Sequence, residues 1–496
     1  MFDLLALSHS GNRIGLVEAQ AAANRISEVT EMTVYPRSIV PSGGQIFALA
    51  RTGLVKHLLI ISSDDIPDAL LAGQSRKVQV DGQTLNIISA PADSSTAAFV
   101  RQKLTWLNPV TFGLRKTAGC GDRLGLATPG HLRAIRECKD AIAPIVAQQS
   151  IREMARTGRT PQNVIDDAMW GVFEEGWQSG FGADADHLKS FDDIDRCVAA
   201  GFKFYTFDPG AYVNNTVDST TYDSLPWAEL ETTAKDTLQR HSGRYDSTIV
   251  KASLSKYGAA IAHVVRMYRH LTAKMGGKAF EVEVSVDETE QPTTQAEHYL
   301  IVAELRRLGV EWVSLAPRYV GRFEKGVDYI GDLSLFERDF TGHVRIAREW
   351  GPYKLSIHSG SDKFSIYPIV SRLAGQYVHL KTAGTSYLEA LRTVARRQPD
   401  LFKNIYQLAH ERYQEDRASY HVSANPNLAP HPDLRDVSDA QSILDQFDAR
   451  EMLHVCFGSI LAAYGDAIKT VLRENEEMHY ADLQKHFRRH LESFCS

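Results

Sequence analysis

From about residue 111 the chain alternates between short apolar runs and amphipathic helical patterns, and it does so eight times. The first run ends in AGCGDRLG and leads into a helix over HLRAIRE. The others lie at 141–150, 180–190, 202–210, 278–294, 310–321, 353–364 and 376–386. Parallel strands need long crossovers, so this repeat favours a parallel sheet, and eight units favour a closed (β/α)8 TIM-type barrel. A doubly wound open sheet is the second choice. A helical insertion after strand 4, about 212–277 (WAELETTAKDTLQRH, then YGAAIAHVVRMYRHLTAKMG), breaks the alternation once. Residues 1–110, with the strand-like VKHLLIISS and QTLNIISAP, read as a small α/β accessory domain for packing or self-association. Residues 111–496 read as the barrel with its insertion, followed by C-terminal helices over about 390–496.

Charge and cysteine content narrow the function. The net charge is −6 with no dense basic run, which leaves no footprint for nucleic acid. No apolar run approaches the ~20 residues that span a bilayer. The start, MFDLLALSHSGNRIG, lacks a basic segment and a cleavage site, so a cytoplasmic protein without a membrane partner is expected. Cys120, Cys138, Cys197, Cys456 and Cys495 are scattered and odd in number, which suits a reducing compartment and predicts neither a disulfide frame nor a structural zinc site.

Strand phase supplies the candidate chemistry, because alternate side chains face opposite ways. In AFEVEVSVDE, Phe280, Val282, Val284 and Val286 form an apolar face, and Glu281, Glu283, Ser285 and Asp287 form the other. Acids inside a barrel are costly unless paired or bound to a metal. Ser356 and His358 share a face in KLSIHSG, as do His379 and Lys381 in YVHLKTAG. Asp184, Asp186, His187 and Lys189 crowd ADADHLK. A barrel brings these C-terminal strand ends around one mouth. His187, Glu283, His358 and His379 are therefore the expected metal ligands. A mixed histidine and carboxylate set suits zinc, manganese, cobalt or nickel better than calcium. The alternative is a buried ladder of ion pairs with lysine or arginine from neighbouring strands.

The turn GCGDRLGLATPGH supplies Asp122 and Arg123 to the same rim, with Thr128 as the expected helix N-cap and Pro129 in the first turn. Asp122 or Asp287 is the expected acid/base. Lys189 and Lys381 either neutralise interior acids or stabilise an oxyanion. Arg123, Asp186 and Arg450 are the expected substrate contacts, an arginine suiting a carboxylate. The glycines at 119, 121 and 125 miss the dinucleotide fingerprint by one residue, so no nicotinamide is expected. P-loop, G-x-S-x-G and H-E-x-x-H motifs are absent from the sequence.

Several long segments, GCGDRLGLATPGHLRA, GADADHLK, EVSVDETEQPTT, SIHSGSDKF, VHLKTAGTSYLEAL, YHVSA and LHVCFGSIL, together resemble the bacterial tagaturonate epimerase family. The resemblance runs from about residue 110 to the C-terminus. It implies a barrel-type, divalent-metal-dependent epimerase that interconverts tagaturonate and fructuronate, and some relatives serve as tagatose 4-epimerases on neutral ketohexoses. The carbon to be inverted is β to the ketone, so its C–H is not acidified. Retro-aldol cleavage and re-addition are therefore expected, with a base on the carbinol hydroxyl. A metal-dependent sugar isomerase or aldolase, and a non-catalytic sugar-acid-binding protein, are the other readings. Self-association, the identity of the metal and the preferred sugar stay open.

Overall fold

Eight parallel strands close into a barrel. They are β7 (Thr117–Gly121), β8 (Ala143–Ser150), β9 (Gly182–Leu188), β10 (Phe204–Phe207), β11 (Glu281–Val286), β12 (Ser314–Pro317), β13 (Lys354–Ile357) and β14 (Val378–Lys381). The computed structural model describes residues 4–8, 14–64, 73–80, 82–214, 247–359, 361–382, 384–420, 422–432 and 437–495. The expected repeat is thus realised as a TIM-type barrel, and the open sheet is excluded by the β14–β7 pairing. The insertion after β10 contains the helix Ser247–Met275. Its first expected segment, WAELETTAKDTLQRH, lies outside the described residues.

The apolar faces of the strands point outward. Val282, Val284 and Val286 of β11, with Leu355, Ile357, Val378 and Leu380, are buried against the surrounding helices. Burying such a side chain contributes about 1.5–3 kcal/mol, so the barrel draws its stability from this sheath. The interior is polar instead, and Thr117, Gln148, Asp184, Thr206, Glu283, Lys354, His379 and Lys381 are all buried there. Helix starts are conventional. Thr160 caps Pro161–Glu174 and Thr294 caps Gln295–Arg307, each in a reciprocal capping box.

Six strands between residues 33 and 91 pair into an antiparallel sheet. Alternation within β3 (Gln45–Thr52) sends Ile46, Ala48 and Ala50 toward the helix Leu16–Thr30, while Phe47 and Leu49 join the barrel's own core. The sheet is therefore apolar on both faces. After β14 the chain is helical, as expected, and its last long helix, Glu476–Leu491, lies along Thr128–Glu137. One expectation is corrected here: Cys138 and Cys495 are joined by a disulfide, because the C-terminus returns to the end of the first barrel helix. Cys120, Cys197 and Cys456 are free and buried. Among the described residues, no single helix is long and apolar enough to cross a membrane.

The contact between Thr128–Glu137 and the C-terminal helix is tight enough to test. A Cβ at Gly130 would sit 2.6 Å from the Leu483 Cβ and 3.1 Å from the Tyr480 carbonyl oxygen. Gly130→Val is expected to cost about 1–3 kcal/mol and to lower the urea midpoint. An unchanged midpoint would mean that the helices separate freely.

Candidate active site and metal centre

One ammonium group organises the barrel interior. Lys381 Nζ lies 2.9 Å from Asp184, 2.5 Å from Asp186 and 3.0 Å from Glu283, and it donates to Thr206 Oγ1 at 2.6 Å. Burial opposes its charge, but the three carboxylates outweigh this and hold Lys381 above the ordinary lysine range. Among those acids, burial pushes Asp184 up to about 7 against the pull of Lys381. Glu283 stays well below its usual range because Lys381 and His358 outweigh its burial. The interior acids thus form the ladder of ion pairs foreseen as the alternative, with a single lysine at its centre.

Above this layer, three donors converge at the C-terminal rim. One ligand atom each of His187, Asp287 and His358 lies within 4.8 Å of the others. Asp287 faces His358 Nδ1 at 3.1 Å and His187 Nε2 at 3.8 Å, and it accepts a hydrogen bond from Ser285 Oγ. His358 Nε2 donates to Glu283 at 2.6 Å, and His187 Nδ1 donates to Asp186 at 2.7 Å. Backed by a carboxylate, His187 presents its other nitrogen to the rim, as metal-bound histidines commonly do. Local backbone explains how His187 reaches the mouth beside Asp186. His187 has φ +53, a left-handed conformation uncommon outside glycine, and the β9–β10 register shifts there. Burial lowers the His187 imidazole, but the Asp186 carboxylate outweighs this and holds it well above its ordinary range. Asp287 is held well below the carboxylate range by His358 and His187, against its burial. Such a pocket favours positive charge. Two imidazoles and a carboxylate fit a zinc, manganese, cobalt or nickel ion.

The remaining expected residues divide between the rim, the layer beneath it and the surrounding loops. His379 is not in the rim cluster. It sits deeper, with Nδ1 2.8 Å from Thr117 Oγ1, and burial drives its pKa down to about 3. Glu283 meets Lys381 and His358 through Oε1, and its Oε2 is buried without a hydrogen-bond partner. Asp122 holds its own turn together. Its Oδ1 accepts from the Leu124 and Gly125 amides, and its Oδ2 accepts from the Ala127 amide. That replaces the expected cap, since Thr128 lies inside the helix and Ala127 takes the cap position. Gly119 makes room for Gln148, whose Oε1 would lie 2.6 Å from a Cβ there, rather than for a ligand. Arg123 pairs with Glu153 at 2.7 Å and stacks on Phe457 at 3.7 Å. Arg450 pairs with Asp362 at 2.6 Å. Both arginines are buried. Asp186 is shared between His187 and Lys381. Lys189 stands on the rim, 3.0 Å from Asp208 and 3.8 Å from Glu288.

A cleft of about 530 Å³ opens beside the triad, with Asp287 and His358 in its wall. Arg152, Glu288, Arg318, Arg322, Lys325 and Tyr420 also line it. Sequence reasoning missed these. Glu288 follows Asp287, and strict alternation assigns it to the opposite face, but β11 ends at Val286 and the rule lapses there. Asp208 was legible only as an acidic strand exit, and it groups with His187 and Glu288 as a second possible donor set. A larger cleft, about 650 Å³, lies among the opposite barrel loops and the N-terminal segment. Its Glu175 is paired with Arg133 and Arg136.

Known proteins resemble the chain along most of its length. Residues 35–494 match the family profile described as tagaturonate epimerase. A Thermotoga maritima protein named tagaturonate/fructuronate epimerase is 39% identical over 448 residues, covering 88% of this chain and 91% of that one. The glycerol-complexed crystal structure of a fructuronate-tagaturonate epimerase from Cohnella laeviribosi aligns with a TM-score of 0.86 at 34% identity, covering 96% of this chain and 99% of that one. The native structure of the Cohnella protein gives 0.82 at 33%, with the same coverage.

Replacing the central lysine tests the ladder. Lys381→Met leaves three buried carboxylates without their cation, and breaking such a buried network costs about 3–5 kcal/mol. Chemical denaturation should show the loss, and a variant as stable as the parent would remove Lys381 from the centre of the ladder.

Proposed function

The chain belongs to the tagaturonate epimerase family and is a carbohydrate epimerase, and from that premise we propose that it interconverts tagaturonate and fructuronate at the barrel mouth with a divalent metal ion. The convergence of His187, Asp287 and His358 beside a 530 Å³ cleft carries this reading. These three residues would hold the ion, with Asp186 and Glu283 orienting the two imidazoles from behind. When bound, the ion supplies polarisation of the substrate ketone and stabilisation of negative charge on oxygen.

The chain's own groups supply the rest. Glu288, on the rim near Arg152 and Lys189, takes the proton from the carbinol hydroxyl. The hydroxyl oxygen becomes a carbonyl as the bond between the α and β carbons breaks, and its electron pair passes into an enediolate. The aldehyde fragment turns, the bond re-forms on its other face, and Glu288 returns the proton. Lys189 steadies the charge near Glu288. Lys325, donating to Ser359 Oγ at 2.6 Å, and Arg322 recognise the remote carboxylate. A neutral ketohexose lacks that carboxylate and forfeits this contact.

Chelation should abolish turnover of tagaturonate, and added Mn²⁺, Co²⁺, Ni²⁺ or Zn²⁺ should restore it. His187→Ala and His358→Ala should lose that rescue; full activity in both would displace the centre from the rim. Glu288→Gln should lower kcat by about 10²–10⁴ with its mouth metal retained, and unaltered kcat would remove it as the base. Lys325→Gln should raise KM for tagaturonate more than for tagatose. Trapping a three-carbon aldehyde acid would support cleavage, whereas solvent deuterium at the α carbon would favour isomerase chemistry instead.

A further inference from the structure

A second group of donors lies away from the mouth, where the C-terminal helix meets the loop after β13. Asp362 adopts φ +63 in that loop. Its Oδ2 receives Arg450 at 2.6 Å. Its Oδ1 faces His486 Nε2 at 2.8 Å and His490 Nε2 at 3.2 Å. All three residues are buried, and one ligand atom from each lies within 4.8 Å of the others. Neither Asp362 Oδ1 nor His486 Nε2 has a hydrogen bond of usable direction. The pair is close but poorly directed, and buried polar atoms are nearly always well satisfied, which a cation shared by the three donors would achieve.

The other ring nitrogens point the same way. His490 Nδ1 donates to the His486 carbonyl oxygen at 3.1 Å, which leaves its Nε2 as the lone-pair nitrogen. His486 Nδ1 faces the Glu389 carboxylate at 3.5 Å. A carbonyl or a carboxylate behind each imidazole is the usual backing of a metal-bound histidine. The two histidines are four residues apart on one helix, so they share a face. We propose that Asp362, His486 and His490 form a second, buried divalent-cation site, of zinc type by its donor set, that fastens the C-terminal helix to the loop carrying His358. The Asp362 amide, which donates to His490 Nε2 at 2.9 Å, gives up that bond when the ion enters. Arg450 keeps the second carboxylate oxygen, so Asp362 bridges the guanidinium and the ion.

The site is independent of the epimerase reading, and metal content separates the two. Full-length protein equilibrated with ZnCl2 and then dialysed should retain zinc at both places. A His187→Ala/His358→Ala variant should keep one slowly exchanging zinc per chain by mass spectrometry. Adding His486→Gln and His490→Gln should remove it, and the thermal midpoint should become insensitive to EDTA. Asp362→Asn in the mouth-depleted background serves as the second variant should the glutamines unfold the helix, and it should also shed the ion. A folded mouth-depleted protein that takes up no zinc, or one that keeps zinc without these donors, overturns the proposal.

Discussion

The Lys381 ammonium is the interaction on which the rest of the barrel depends. Three carboxylates in a closed interior would repel one another and lose their hydration, and each would cost several kcal/mol uncompensated. A single cation at 2.5–3.0 Å from all three removes most of that penalty. Asp186 and Glu283 then remain charged where the mouth needs them. In Asp186 and in Glu283 a single carboxylate oxygen meets both Lys381 and a histidine of the rim. Neutralisation below and orientation above are therefore performed by the same side chains. Their buried positions leave those imidazoles little freedom to turn.

The C-terminal helices complete the mouth instead of simply decorating the barrel. Tyr420, Val422 and Ser423 enter the cleft wall from the polar loop after β14. Glu324, also in that wall, accepts from the Ser423 amide at 2.8 Å, which ties the loop after β12 to this late segment. Lys363 adds a further tie by donating to the Glu324 carbonyl oxygen at 2.7 Å. The loops after β12 and β13 are thus held by late parts of the chain, which is consistent with a site that needs both loops in register.

What the sequence revealed and what it hid follow a physical line. The barrel was legible because strand–helix alternation is a local pattern repeated many times. The inward face of β11 was legible because a period of two survives along a regular strand. Inward phase alone did not separate the rim from the deeper layer, so His379 and His358 looked equivalent, although only His358 joins the triad. Glu288 escaped notice because alternation ends with the strand. Arg123 and Arg450 looked available because their partners, Glu153, Phe457 and Asp362, come from distant segments. Asp122 looked chemical for the same reason that it is structural, since a short acid in a tight turn finds backbone amides first. The family resemblance gave the reaction class, but it could not assign those roles.

The Cys138–Cys495 bond gives the molecule an unusual topology. It closes a covalent ring across a sequence separation of 357 residues, and the ring contains seven of the eight barrel strands, β8 to β14. Closing so long a loop removes much of the freedom of the unfolded chain. It also changes the consequence of a cut. A single backbone break at any exposed turn between the two cysteines opens the ring without releasing a fragment, so the pieces stay tethered and reassociate at high local concentration. Reduction converts the same nick into two separable chains. The oxidised chain therefore stays in one piece after a single cut within the ring, whereas β7, the first barrel helix, the N-terminal sheet and its helices lie outside it.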